Sequence, residues 1–126
     1  MKISQLSILS LLFLAGCQTT NLSDIQTSAS PDTIQIAKNN LMSYENFNVT
    51  DNGVIVYQMV AEIGYFWKPV VTKELSFRIA CEELKWYVDK GMTVRINFKG
   101  RRGMINDYDQ NRCQTEIPTN LLESNS

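Results

Sequence analysis

Polar and apolar positions change period several times along this chain, and each change marks an element. Leu6 to Leu14 is a nearly unbroken apolar run, interrupted only by Ser7 and Ser10. It is too short to span a bilayer, which takes about 20 apolar residues. Gln18 to Ser30 is polar, small and unpatterned, and reads as a flexible tether reaching up to roughly 45 Å when extended. Ser30-Pro31-Asp32 then combines a capping side chain, a proline for the first helical position and an acid for the first turn. Ile34, Ala37 and Leu41 follow at helical spacing, which predicts a first helix ending near Ser43. Tyr44 to Thr50 predicts a short strand, and Asn52-Gly53 a hairpin turn. Val54 to Ile63 is β-branched, apolar on both faces and long enough for a central strand.

Gly64 to Pro69 reads as a loop holding three consecutive aromatics, Tyr65-Phe66-Trp67. With Thr72 as cap, Leu75, Phe77, Cys81, Leu84 and Val88 make a helical stripe, widened by Ile79, Ala80 and Tyr87. The pattern predicts one continuous helix from Thr72 to Lys90, closed by Gly91. Met92 to Lys99 alternates, with Met92, Val94, Ile96 and Phe98 inward and Thr93, Arg95, Asn97 and Lys99 on a wet face. Gly100-Arg101-Arg102-Gly103 is a turn, and Met104 to Tyr108 begins a return strand. Residues 114–126 read as a mobile tail. The order is helix, strand, strand, helix, strand, strand. Hairpin-joined strands imply an α+β domain over residues 31–113, a small antiparallel sheet packed by two helices.

Composition narrows the chemistry. The chain has 126 residues, enough for one domain with a modest core. Its formal charge of −1 gives no reason to expect nucleic acid as a partner. Histidine is absent, which removes the commonest general base, the commonest zinc ligand and every Ser-His or Cys-His nucleophile pair. Asp107 and Asp109 are two apart and could share a side, but no third ligand or glycine-rich loop accompanies them. We therefore expect no catalysis, no cofactor and no metal. Cysteine numbers three, and the odd one needs a role.

The N-terminus supplies it. Met1-Lys2, the apolar run and Leu14-Ala15-Gly16-Cys17 together resemble a bacterial lipobox. The resemblance implies that residues 1–16 are a lipoprotein signal peptide and that Cys17 carries acyl chains, palmitate among them. One chain binds a membrane marginally, whereas two or three make attachment effectively permanent. Gln18 stands where retained inner-membrane lipoproteins carry Asp, which implies handling by the lipoprotein sorting machinery and residence on the periplasmic side of the outer membrane. In that oxidising compartment Cys81 and Cys113 are left to pair. Closing the loop between them would contribute roughly 3–4 kcal/mol.

Two features are candidates for partner binding. Tyr65, Phe66 and Trp67 cannot all face one core from a loop, so at least one is expected at the surface. Arg95, Lys99, Arg101 and Arg102 form a positive patch on the wet strand face and its turn, suited to lipid phosphates or to an acidic partner segment. The plainer reading is a charged hairpin tip that guards a sheet edge.

Taken together, the lipobox, the hairpin at Asn52-Gly53, Phe77-Arg78-Ile79-Ala80-Cys81, Lys90 to Phe98, and Asp109-Gln110-Asn111-Arg112-Cys113 resemble a known family. It is the AspS-like, or beta, class of small outer-membrane pilotins of type II secretion. The resemblance implies a lipoprotein that captures a C-terminal segment of a secretin subunit, as a helix in an apolar groove between sheet and long helix, and carries it to the outer membrane. It also implies a break in the long helix after its cysteine. The alternative function is a periplasm-facing lipoprotein that inhibits, or gives immunity to, a cell-wall-targeting enzyme through an exposed loop.

Overall fold

A computed structural model describes residues 19–116. The expected signal peptide, Cys17 with its acyl chains, and residues 117–126 of the expected tail lie outside the described residues.

Helix α1 (Pro31–Leu41) starts as the sequence predicts: Ser30 Oγ accepts from the Thr33 N–H at 3.2 Å, with Pro31 at the first helical position. Strands β1 (Phe47–Val49) and β2 (Val54–Val60) pair antiparallel across a turn at Thr50–Gly53, where Gly53 takes a φ of +91°. Lys38 forms an ion pair with Asp51, tying α1 to this turn. Next come α2 (Pro69–Arg78), a π-helical stretch (Ile79–Glu83) and α3 (Lys85–Asp89). Strands β3 (Thr93–Lys99) and β4 (Met104–Tyr108) form the second antiparallel hairpin, and α4 (Gln110–Thr115) follows.

The fold is α+β with a disulfide between Cys81 and Cys113, as the sequence predicts. Spatial strand order follows chain order, β1-β2-β3-β4. The sheet is mixed, however, and not wholly antiparallel. Its central pair, β2 and β3, runs parallel from Val54↔Thr93 to Val60↔Lys99. The helices between these strands return the chain to its starting end, which is what parallel pairing requires.

The long helix also departs from expectation. It begins at Pro69, and Thr72 is no cap: it is buried, with Oγ1 donating to the Lys68 and Pro69 carbonyls at 3.2 and 3.0 Å. It does not run unbroken to Lys90. The Leu84 N–H donates to the Ile79 carbonyl at 2.9 Å, five residues back, and Leu84 leaves helical geometry at φ −102°, ψ 16°. Ile79, Ala80 and Cys81 are all buried. Three successive residues sweep about 200° of an α-helix, too wide for one contact face. The wider π turn lets all three meet the core.

All these helices serve one face of the sheet. Val49, Ile55, Val94, Ile96, Phe98 and Tyr108 pack there against Ala37, Leu41, Ile79, Ala80, Leu84 and Val88. The space between sheet and long helix, expected as a groove, is thus a filled core.

On the opposite face the expected tether is docked. Asn52 Nδ2 donates to the Leu22 and Ile25 carbonyls at 2.8 and 3.1 Å, Thr27 Oγ1 donates to the Asn52 carbonyl, and the Ser28 N–H donates to the Gly91 carbonyl at 3.1 Å. Each bond satisfies a backbone or amide group that would otherwise need water, so the segment acts as a strap. The structured chain also extends past residue 113. Thr115 ends α4, and the Glu116 carboxylate accepts from the Tyr108 hydroxyl at 2.5 Å, so residues 114–116 belong to the fold and not to a tail.

Candidate functional site

Parallel pairing at the centre brings the C-terminal ends of β2 and β3 side by side. The loop after β2 and the turn after β3 therefore share one end of the molecule, and with them the aromatic run and the basic turn. The Lys99 carbonyl joins the two, accepting from the Ala61 N–H at 3.0 Å and from Trp67 Nε1 at 2.8 Å. The Trp67 N–H donates to the Arg101 carbonyl at 3.0 Å. The Trp67 ring packs edge-on against Phe98, with centroids 4.9 Å apart. Trp67 is thus the pin of the loop, half-buried and spent on the fold.

Pinning Trp67 turns its neighbours outward. Tyr65 is 69% exposed and Phe66 46%. Together with Val60, Ala61, Trp67 and Val71 they line an open apolar cleft of about 350 Å³, whose charged edges are Glu62 and Lys68. The Arg102 guanidinium lies 4.9 Å from the centre of the Phe66 ring, close enough for cation–π attraction. Arg102 takes a left-handed backbone (φ 59°), unusual for a residue with a side chain. Lys99, Arg101 and Arg102 are exposed beside the cleft. Four bases face one acid there, in a chain that is otherwise slightly acidic. The cleft can hold apolar side chains and attract negative charge at its rim.

Six of the seven candidate partner residues, Tyr65, Phe66, Trp67, Lys99, Arg101 and Arg102, therefore converge. Arg95 does not. It was expected on a wet face with the other bases, but it is 6% exposed under the strap. Its Nε and Nη2 donate to the two Asp107 oxygens at 2.7 and 2.8 Å, and Nη2 also donates to the Thr20 carbonyl at 2.5 Å. The bonds to Asp107 raise the guanidinium pKa further above its ordinary value, against the opposing effect of burial. Arg95 is a structural cation. The alternation of β3 gave no hint of the strap that covers it.

The aspartates are occupied too. Asp107 holds Arg95, while Asp109 Oδ1 accepts from the Arg112 N–H at 2.8 Å and caps α4. Among the described residues no group of three or more His, Cys, Asp or Glu side chains could hold a metal ion. Among the same residues no helix is long and apolar enough to cross a membrane. Sequence reasoning missed Val60 and Val71 as site residues. Val60 falls inside the strand expected to run to Ile63 and Val71 just before the helix expected at Thr72, whereas β2 ends at Val60 and α2 begins at Pro69, leaving both exposed.

Comparison with protein-family models, with curated proteins and with solved structures gives no match.

Proposed function

We propose that this chain is a lipid-anchored binding protein of the outer membrane, and that its cleft captures an amphipathic, acid-flanked segment of a protein partner. The observation that carries this reading is the joining of exposed Tyr65 and Phe66 to a basic turn around an open apolar cleft. Exposed aromatics with adjacent arginines have the composition of binding hot spots. An apolar strip on the partner would fill the cleft and its carboxylates would meet Arg101 and Arg102, the groove mode of segment recognition. Resemblance to the AspS-like pilotins names the segment as the C-terminus of a secretin subunit. The break after Cys81 supports that resemblance, since the family pattern implies it. The acyl chains on Cys17 would then let lipoprotein sorting carry the secretin to the outer membrane.

Crosslinking pulldown tests the reading, using the full chain, Cys17→Ala and Phe66→Ala. We expect a secretin to co-purify with the wild type, to co-purify with Cys17→Ala but stay in the inner membrane, and to fall at least about tenfold in yield with Phe66→Ala. If no secretin co-purifies and secretin multimers still reach the outer membrane in a deletion strain, the pilotin reading fails. Inhibition of cell-wall hydrolysis by the purified chain would instead assign the same exposed loop to enzyme inhibition.

A further inference from the structure

The strap divides the open sheet face in two. Its lower half, at Val54, Thr93 and Arg95, is buried. Its upper half is not: Val60, Lys99 and Ile105 are exposed, and Gln58 and Asn97 are half-buried between them. The described chain meets this face at Thr20, whose carbonyl is held by Arg95. Cys17 is three residues upstream. Three extended residues span at most about 10 Å, so docking shortens the expected 45 Å leash to less than a quarter.

We propose that the upper half of the open sheet face rests on the bilayer that receives the Cys17 acyl chains, with Val60 and Ile105 at headgroup depth and Lys99 on lipid phosphate. This rests on the lipidation of Cys17 in the reading above. Anchor length is the first argument. An acyl chain attached within about 10 Å of this face holds the bilayer surface there, while the helical layer lies a further 10 Å or so behind the sheet. Charge is the second. Asp107, the acid on β4 of this face, is already neutralised by Arg95, and Glu62 just beyond β2 is outnumbered by Lys99, Arg101 and Arg102, so an anionic surface meets a net positive edge flanked by apolar and amide side chains. The cleft then opens at headgroup level, beside the membrane and not away from it.

The test uses the full chain, expressed with its leader and reconstituted into phosphatidylethanolamine–phosphatidylglycerol vesicles doped with a headgroup-quencher lipid. Single fluorophores are placed at Ile105→Cys or Gln58→Cys on the sheet, and at Lys73→Cys on α2. The mass of the N-terminal peptide reports acylation. On acylated protein we expect several-fold stronger quenching at both sheet sites than at Lys73, reduced when Lys99→Glu is added. Acylated protein with equal quenching at all three sites, or stronger quenching at Lys73, overturns the orientation and leaves the anchored-binder reading standing. Sheet sites that are shielded only after a partner protein is added overturn it in favour of a protein contact. Unacylated Cys17 overturns both the orientation and the reading beneath it.

Discussion

Arg95 and Tyr108 show how a single polar group is kept inside this small domain. Removing Arg95 would leave Asp107 without its cation and release Thr20, so Arg95→Ala should cost about 2–4 kcal/mol in urea unfolding. Asp107→Asn, which still accepts hydrogen bonds, should cost less. Tyr108 is fully buried, donates to Glu116 and lies under the Arg112 guanidinium, 4.1 Å from its ring centre. Burial first, and the Glu116 bond second, push its phenol pKa far above the usual value. The folded state thus favours the neutral phenol. Its contribution to stability is complete below the unfolded pKa of about 10 and is lost as pH rises above it. Unfolding midpoints measured near pH 8 and near pH 11 should therefore fall more steeply in the wild type than in Tyr108→Phe. Arg102 presents the opposite trade. Arg102→Gly relieves its left-handed backbone and should leave stability unchanged or raised by up to about 1 kcal/mol, while binding titrations show weaker capture of an acidic segment.

At the scale of elements, the strap and the disulfide are the two staples. Gly91 lies under the strap with a φ of +96°, and a Cβ there would come within 2.8 Å of the Ala29 nitrogen. Gly91→Ala should destabilise by about 2 kcal/mol and make residues 20–30 the first site of limited proteolysis. The bridge fixes α4 to the π-helical stretch across 32 positions of sequence. Cys81→Ser should cost about 3–4 kcal/mol and leave Cys113 open to thiol reagents, whereas equal reactivity of both thiols in the native wild type would sink the pairing. Most elements were legible beforehand, because Ser30-Pro31, Asn52-Gly53 and the alternation of β3 each act locally. The π turn was only half legible. The stripe widened at Ile79 and Ala80 is its trace, but a helical wheel with fixed period cannot contain an inserted residue. In α2 the fully buried residues are Thr72 and Ser76, with Leu75 and Phe77 only half-covered. Hydropathy found Leu75 and Phe77, which pack at the edge of the core, but missed Thr72 and Ser76, because α2 also meets a polar seam on β4, where Asn106 donates to Ser76 Oγ at 3.0 Å. Parallel pairing was hidden for another reason. Two strong hairpin signals suggested antiparallel pairing throughout, although a strand–helix–strand run was in view.

Across the whole molecule, the strap and the cleft lie at opposite ends of the sheet. The strap's hydrogen bonds to the turn before β2 and to Gly91 lie at the N-terminal ends of β2 and β3, and the cleft lies at their C-terminal ends. Binding at a basic rim should weaken as salt rises from about 50 to about 300 mM, chiefly through a slower on-rate in stopped-flow measurements. A mutation at one end should leave the other unchanged, since the rigid sheet separates them. The parallel centre of that sheet has a consequence for how the chain is made. Each β2–β3 pair joins residues 39 positions apart, and either hairpin alone leaves its inner strand edge unpaired. Completion of the sheet must therefore wait until β3 has been made. Until then β2 is an apolar strand with an open edge, and it is the segment that chaperones should be found holding.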